Sequence, residues 1–226
     1  MKKRQEKIVA IDFETTGQER EDEVLQVSII DGEYNVLLNT YCRPRNKKNW
    51  EDAQGIHGIT PEMVANELSF EEYVPMVADI LQRSDLVIAY NVAFENGFLR
   101  SYGIEIEREK WFDPMLKFAE IYGEWNDYYC DYKWQSLEEC AAYYGYEFKA
   151  HDSLEDVRAT MYCYKKMMYQ QYMWEQELLF DVIERYIFHS EKSRSDNPVV
   201  RETAQKMCEV ELWEMWALAQ YRTKLC

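Results

Sequence analysis

The chain of 226 residues is long enough for one large domain or a domain with an appendage, and its 47% hydrophobic content excludes global disorder. The formal charge of −16 argues against a protein that coats nucleic acid by bulk electrostatics, although bound cations or a local basic face leave a nucleic-acid enzyme open. No apolar run approaches membrane-spanning length and the six cysteines form no CxxC pair, so we expect a cytoplasmic protein with free thiols.

The segment IVAIDFETTG, residues 8–17, predicts a buried strand that exits into a turn. Asp12 and Glu14 occupy positions i and i+2 near the end of this strand, so their side chains point to the same face. Two carboxylates this close repel each other, which favours a bound cation beside them. A solvated strand end is the alternative.

Further elements follow in an alternating order. Apolar runs predict strands at 24–31, 34–42, 85–91 and 110–113. Start and stop signals predict helices at 69–83, 92–103, 114–123 and 136–145. Ser69 is expected to cap its helix, with Glu72 at the capping-box position. Thr60 and Pro61 predict another helix start.

The last third of the chain is helical in character. Residues 152–197 contain neither glycine nor proline, and we expect the helix to break between 174 and 195, because 189–198 looks like a linker. The element order predicts an α/β fold, a mixed sheet of three antiparallel strands followed by parallel strands, flanked by helices. We assign residues 1–174 to this domain and 175–226 to a helical C-terminal extension.

Two more segments carry acids at element boundaries. Asn91 ends a strand and Glu95 lies on the first turn of the next helix, while His151 stands five residues before Asp156 at another helix start. Each of these two segments is by itself an ordinary helix start. Together with the strand acids they form a set of hard oxygen ligands, which suits Mg²⁺ or Mn²⁺, plus one titratable imidazole. Two such metals can hold the attacking and leaving oxygens of a phosphodiester.

At this point the chain resembles the DEDDh (DnaQ-like) 3′→5′ exonucleases, which have the ribonuclease H-like fold. The matching segments are IVAIDFETTG, AYNVAFENGFL and HDSLEDVRAT, together with the loop GIHGIT. The resemblance covers roughly residues 6–172. One position departs from the pattern, because Glu95 stands where the family usually has aspartate.

The resemblance implies a two-metal site and assigns roles. Asp12 would bridge two Mg²⁺ or Mn²⁺ ions, with Glu14 and Asp156 completing the inner site. Glu95 would reach the second metal through water, and His151 would be the general base that takes a proton from the attacking water. The products would be nucleoside 5′-monophosphates released from the 3′ ends of single-stranded DNA or RNA.

Substrate contacts are expected around the strand acids. His57 and Ile59 belong to the loop that lies against the terminal nucleotide in this family, although a simple loop-to-helix transition explains them equally well. Phe13 and Thr15 flank the acids and are expected, by analogy with the family, to contact the terminal sugar and base, and Asn91 at its strand end is also expected to contact the substrate. A basic cluster within RPRNKKN, residues 43–49, is either a nucleic-acid contact or a solvated loop.

A rival interpretation keeps the fold without the activity. Glu95 would disable the second metal, and helices in 175–226 would recruit a protein partner of the polymerase or CRISPR integrase type. Those helices could equally pack on the catalytic domain or form a homodimer. The sequence leaves open the choice between DNA and RNA, the pathway and the oligomeric state.

Overall fold

The computed structural model describes residues 6–19 and 21–225, with the backbone alone for residues 216, 217 and 219–225. Its strands are β1 (Ile8–Thr15), β2 (Val24–Asp31), β3 (Val36–Tyr41), β4 (Leu86–Ile88), β5 (Trp111–Phe112), β6 (Trp125–Asn126) and β7 (Asp131–Tyr132). Its α-helices are α1 (Glu51–His57), α2 (Pro61–Val64), α3 (Phe70–Gln82), α4 (Val92–Ser101), α5 (Pro114–Tyr122), α6 (Leu137–Tyr143), α7 (Ser153–Lys192) and α8 (Pro198–Leu225).

The central sheet has the strand order β3-β2-β1-β4-β5. Strands β1, β2 and β3 are antiparallel neighbours, whereas β4 is parallel to β1 and β5 is parallel to β4. The predicted α/β fold, with three antiparallel strands followed by parallel ones, is therefore confirmed. Strands β6 and β7 form a separate two-stranded hairpin that the sequence did not predict.

Alternation along β1 divides its side chains between two environments. Val9, Ile11 and Phe13 point into a buried core that α3 and α4 cover. Asp12 and Glu14 point to the opposite face. The acids are therefore held by a strand whose other face is anchored in the core.

Local signals explain most helix starts. Ser136 and Glu139 form a complete capping box at α6, and the Thr60 side chain caps α2 by accepting from Met63 N. The predicted cap at α3 is wrong in one respect, because Ser69 precedes the helix but its side chain makes no capping hydrogen bond. Its hydroxyl instead accepts from the Arg45 guanidinium at 3.2–3.3 Å.

The chain forms two compact units, the first ending at Lys166 and the second beginning at Met167. This division falls inside α7, whereas the sequence prediction put a domain boundary after residue 174. The expected helix break falls at residues 193–197, because α7 continues to Lys192 and α8 begins at Pro198. The linker is thus shorter than predicted.

Within the second unit, α7 and α8 run antiparallel. Arg185 Nη2 donates to Glu214 Oε2 at 2.7 Å, and His189 Nδ1 lies 2.7 Å from Oε1 of the buried Glu211. His189 is therefore part of a helix–helix contact and not of the linker in which the sequence placed it.

No helix in the described part of the chain has both the length and the apolar character needed to cross a membrane. The described cysteines are free thiols, as expected, and Cys226 lies outside the described residues.

Candidate active site

The turn after β1 fixes the end of the acid-bearing strand. The Asp22 carboxylate accepts from Thr16 Oγ1 at 2.8 Å and from Glu19 N at 2.9 Å. A Cβ at Gly17 would lie 2.4 Å from Asp22 Oδ2, so a larger residue there would push the Asp22 carboxylate away from these hydrogen bonds. Thr16 N also donates to Glu23 O across the hairpin at 2.9 Å. The strand therefore ends just beyond Glu14.

A buried hydroxyl pair places the start of α7 opposite β1. Asp12 is the register partner of Ser28 on β2, and the oxygens of Ser28 and Ser153 lie 2.6 Å apart. Ser28 donates its single hydrogen to Asn39 Oδ1 at 3.0 Å, so Ser153 is the donor in the serine pair. The first turn of α7, which carries Asp156, is thereby tied to the row of residues that contains Asp12.

The loop before α7 presents His151 to these acids. His151 has a left-handed backbone with φ of 67°, and its N–H donates to Asp156 Oδ2 at 3.1 Å. One ligand atom each from Glu14, His151 and Asp156 lies within 4.8 Å of the other two. The imidazole is about half exposed, and its Nε2 is 3.9 Å from Glu138 Oε1. The structure thus brings His151 and Asp156 next to Glu14 at the end of β1.

Glu95 reaches the site region from α4. This helix begins after Asn91, whose φ of 73° is left-handed. The Asp113 carboxylate holds that turn by accepting from Asn91 N at 3.2 Å and Val92 N at 2.8 Å. Glu95 is buried, with 3% of its surface exposed. Asp113 thus positions the start of α4, a role that its sequence context did not predict, although the Asp113-Pro114 pair at the start of α5 was a usable signal.

Burial raises the pKa values of the inner acids. It raises the pKa of Glu14 from 4.5 to about 8, and Asp156 and Asp152 add repulsion. Burial also raises the pKa of Asp156 from 3.8 to about 7, although the hydrogen bond from His151 N opposes it. Both groups therefore hold protons more tightly than isolated carboxyls do.

The same pattern extends to the other two acids. Burial is the largest cause of the raised pKa of Asp12, followed by repulsion from Asp156 and Glu95. Burial likewise raises the pKa of Glu95 well above its ordinary value, with added repulsion from Asp113 and Glu14, while a backbone hydrogen bond opposes the shift. Asp12 and Glu95 lie outside the 4.8 Å group, yet the four acids interact electrostatically as one cluster.

The donor set fits a hard divalent cation. Among the described side chains, Glu95 Oε2 and Asp156 Oδ1 are buried oxygens without a hydrogen-bond partner. Buried carboxylate oxygens in mutual repulsion are stabilised when a cation binds between them. A set of carboxylate oxygens together with one imidazole nitrogen suits Mg²⁺ or Mn²⁺. The site is thus a carboxylate and histidine cluster able to hold divalent metal.

His57 connects the loop after α1 to the end of β1. Ile59 N donates to its Nδ1 at 3.0 Å, so its Nε2 carries the hydrogen that is donated to Thr15 O at 3.1 Å. Burial lowers the pKa of His57, which keeps the ring neutral. His57 is therefore a fixed neutral link beside Glu14.

Two of the expected substrate contacts have buried side chains. The Phe13 ring packs against Phe70 at a centroid distance of 5.5 Å, inside the core. Ile59 is buried, and its carbonyl accepts from Trp50 Nε1 at 2.8 Å. Both side chains are therefore enclosed in the protein, and the backbone N–H and carbonyl of Ile59 already have partners within it. The roles of Thr15, His57 and Asn91 stay predictions.

The basic cluster is partly neutralised inside the protein. Arg45 pairs with Glu71 at 3.2 Å, and Lys47 pairs with Asp22 at 3.0 Å. The Glu23 carboxylate accepts from the backbone N–H groups of residues 45, 46 and 47 at 2.7–2.9 Å, which fixes the loop. These pairs favour a structural role for half of the cluster.

The mixed sheet and the acid cluster are those found in nucleases with a ribonuclease H-like fold. The exonuclease family pattern (RNase_T) matches residues 9–164, more than half of the chain. The chain therefore belongs to the exonuclease family.

Relatives and solved structures agree with this assignment. The chain is 32% identical over 165 residues to the uncharacterized exonuclease CP81 of Escherichia phage 186, covering 68% of this chain and 84% of that protein. It is 26% identical over 170 residues to RNA exonuclease 4 of Saccharomyces cerevisiae, covering 71% and 54%. A zinc-bound complex of Escherichia coli exonuclease I with single-stranded DNA has a similar fold, with a TM-score of 0.61 and 22% identity.

The matched part makes up a different share of each of these proteins. The match to exonuclease I covers 79% of this chain but only 43% of that chain, so the chain spans less than half of the exonuclease I fold. The family assignment identifies a nuclease hydrolase, and family members generally use divalent metals.

Proposed function

We propose that the chain is a metal-dependent 3′→5′ exonuclease that releases nucleoside 5′-monophosphates from the 3′ ends of single-stranded DNA or RNA. The observation that carries the proposal is the convergence of Glu14, His151 and Asp156 within 4.8 Å, in a member of the exonuclease family. The single-stranded DNA bound by the exonuclease I relative supports the substrate class. The yeast RNA exonuclease supports RNA as an alternative.

In this proposal the chain supplies ligands and a base. Asp12, Glu14 and Asp156 would hold two Mg²⁺ or Mn²⁺ ions, with Glu95 at the second. Such ions, when bound, neutralise charge on the phosphodiester and align the attacking and leaving oxygens. The His151 imidazole would take the proton of the attacking water. The hydrogen bond from the backbone N–H of His151 to Asp156 Oδ2 keeps this residue beside the acids.

A gel assay tests the reaction directly. Linear 5′-labelled DNA and RNA strands of one sequence, and a circular single strand of the same DNA, are incubated with Mn²⁺, Mg²⁺ or EDTA. We expect linear strands to shorten from the 3′ end into nucleoside 5′-monophosphates, with no product in EDTA. Cleavage of the circle would contradict an exonuclease. Intact linear substrate with every metal would favour the rival interpretation, in which the chain has this fold but no nuclease activity.

Glu95 distinguishes an active site from a disabled one. Glu95→Gln keeps the shape but removes a charge and is expected to lower kcat/KM roughly 10–100-fold, the usual effect of losing a group that acts on a metal indirectly. Glu95→Asp retains the carboxylate and should keep activity within about tenfold of wild type. Equal activity in wild type and Glu95→Gln would indicate that Glu95 does not serve a metal.

The second unit carries a surface that favours helix pairing. Exposed or half-buried side chains follow one stripe of α7 with alternating spacings of four and three residues: Tyr169, Met173, Gln176, Phe180, Ile183 and Ile187. We call this set the heptad stripe. Such spacing is typical of a coiled-coil seam, in which each apolar side chain inserts between residues of a facing helix.

The opposite face of the same helix already has a partner. Glu175, Val182 and His189 are buried or half-buried at seven-residue intervals, on the side where α7 contacts α8. We propose that a second copy of this chain covers the heptad stripe, because each copy presents the same seam. A protein partner is the alternative outcome.

Light scattering during size-exclusion chromatography tests this pairing. We expect wild type to elute as a dimer and Phe180→Glu with Ile183→Glu as a monomer, since two charges in a seam disfavour association. Phe188→Glu, an exposed residue off the stripe, is the matched control and should remain dimeric. A monomeric wild type would overturn the dimer.

A further inference from the structure

The hairpin β6–β7 and its flanks form an exposed aromatic surface in the first unit. We name residues 125–134 the aromatic hairpin. Tyr128 and Tyr129 at its turn are 85% and 74% exposed. The exposed large apolar side chains of this segment are all aromatic: Trp125, Tyr128, Tyr129, Tyr132 and Trp134. Neither the family assignment nor the proposed chemistry uses them.

The hairpin holds its rings on an ordered backbone. Asn126 Oδ1 accepts from Tyr128 N at 3.0 Å and from Tyr129 N at 3.3 Å, which fixes the turn. The rings of Tyr128 and Tyr129 pack edge to face with centroids 4.8 Å apart. Lys133 N donates to Glu124 O at 2.8 Å at the base of the hairpin. The rings are therefore presented in a defined arrangement.

The base of the hairpin is continuous with the candidate active site. The Tyr90 hydroxyl shares its hydrogen between the carbonyl oxygens of Gln135 and Ser136, each at 3.0 Å. Tyr90 directly precedes the turn that starts α4. Ser136 caps α6, and Glu138 in the first turn of α6 lies 3.9 Å from the His151 ring. The base of the hairpin is thus linked, through Tyr90 and α6, to the elements that carry Glu95 and face His151.

We propose that the aromatic hairpin is a stacking platform for unpaired bases of the substrate strand, upstream of the 3′ end. This inference rests on the proposed function. Every base has a π-face, so exposed tyrosine and tryptophan rings bind single strands without reading sequence. A cleft of about 750 Å³, lined by Asn126, Tyr129, Asp131, Tyr132, Lys133 and Trp134, lies along the hairpin.

The charges of the hairpin favour stacking over phosphate contact. Lys133 is paired with Glu124, and the segment also carries Asp127 and Asp131. A surface with this balance does not attract phosphates, so the rings provide the binding energy. The contribution of base stacking to the affinity changes little with salt concentration. The contribution of phosphate contacts falls steeply as the salt concentration rises.

Kinetics on two substrates separate the platform from the catalytic centre. The full chain is compared with Tyr128→Ala/Tyr129→Ala on oligothymidylate of roughly 12 nucleotides and on the p-nitrophenyl ester of thymidine 5′-monophosphate, which is too small to reach the hairpin. We expect the KM for the oligonucleotide to rise roughly tenfold or more. Kinetics on the ester should be unchanged. Tyr172→Ala, an exposed tyrosine of the second unit, is the matched control and should behave as wild type.

Direct binding keeps the test independent of hydrolysis. Fluorescence anisotropy with the labelled oligonucleotide in EDTA should show a roughly tenfold weaker affinity for the double variant, by the same factor at about 50 and about 300 mM NaCl. Equal affinity of wild type and variant would overturn the platform and favour a protein-docking role for the rings. A loss that vanishes at high salt would also overturn it. Failure of wild type to hydrolyse either substrate would refute the proposed function alone.

Discussion

Asp12→Asn is expected to reduce hydrolysis of single-stranded 3′ ends by roughly 10³-fold or more, and at the same time to raise the Tm of the metal-free protein. Activity falls because the neutral amide can no longer balance the charge of the two cations that the proposed site holds. Stability rises because one of four mutually repelling acids is neutralised.

The pH dependence of this stability has a definite sign. In the folded chain the pKa is raised to about 8 for Glu14 and to about 7 for Asp156, so the folded state binds protons more tightly than the unfolded state. Their contribution to stability is therefore complete below about pH 4 and is lost as pH rises through 7 to 8. Asp12→Asn should raise the Tm in EDTA more at pH 8 than at pH 5.

Differential scanning calorimetry in EDTA checks this result. We expect a rise in Tm of roughly 3–8 °C at pH 8, at about 2–4 °C per kcal/mol for a chain of this size. Asp31→Asn is the matched control, because hydrogen bonds from Asn35 and Glu33 lower the pKa of Asp31 despite some burial, so this change should lower the Tm. A drop in Tm for both variants would contradict the claim that the four acids repel one another in the metal-free protein.

His151→Gln is expected to lower kcat roughly 10²–10⁴-fold, which is the usual contribution of a general base and a smaller loss than that of Asp12→Asn. Glutamine can accept a hydrogen bond but cannot take a proton at neutral pH. The backbone bond from residue 151 to Asp156 Oδ2 does not depend on the side chain, so the loop should keep its position.

Two readouts separate this chemical role from a structural one. The raised Tm that Mn²⁺ gives wild type should persist largely in His151→Gln, since the carboxylates remain. The KM of the variant should stay near that of wild type, because the lost group acts on the attacking water and not on substrate binding. A kcat within about tenfold of wild type would exclude His151 as the base.

The local pattern was sufficient for the acid-bearing strand and its neighbours. The alternation around Asp12 and Glu14 predicted their common face, and three apolar runs separated by turn residues predicted that β1, β2 and β3 are antiparallel. These features depend on periodicity within a few residues, which a sequence displays directly.

Contacts between distant segments were not predictable in this way. The pair of Ser28 and Ser153 joins residues 125 positions apart, and neither serine differs from an ordinary polar residue in the sequence. The sequence also carries no turn signal after Lys166, because the helix α7 continues from one compact unit into the next. The strands of the aromatic hairpin were not predicted because two-residue strands are too short to show alternation.

A titration of Mn²⁺ against wild type, followed by thermal unfolding at pH 8, tests the central claim most directly: the acid cluster is a cation site. The claim predicts a Tm that climbs steadily with metal concentration, equivalent to about 2.7 kcal/mol at 100 times the Kd, and a much smaller response in Asp12→Asn. A Tm that stays flat in wild type up to millimolar Mn²⁺, or rises equally in both proteins, would contradict it.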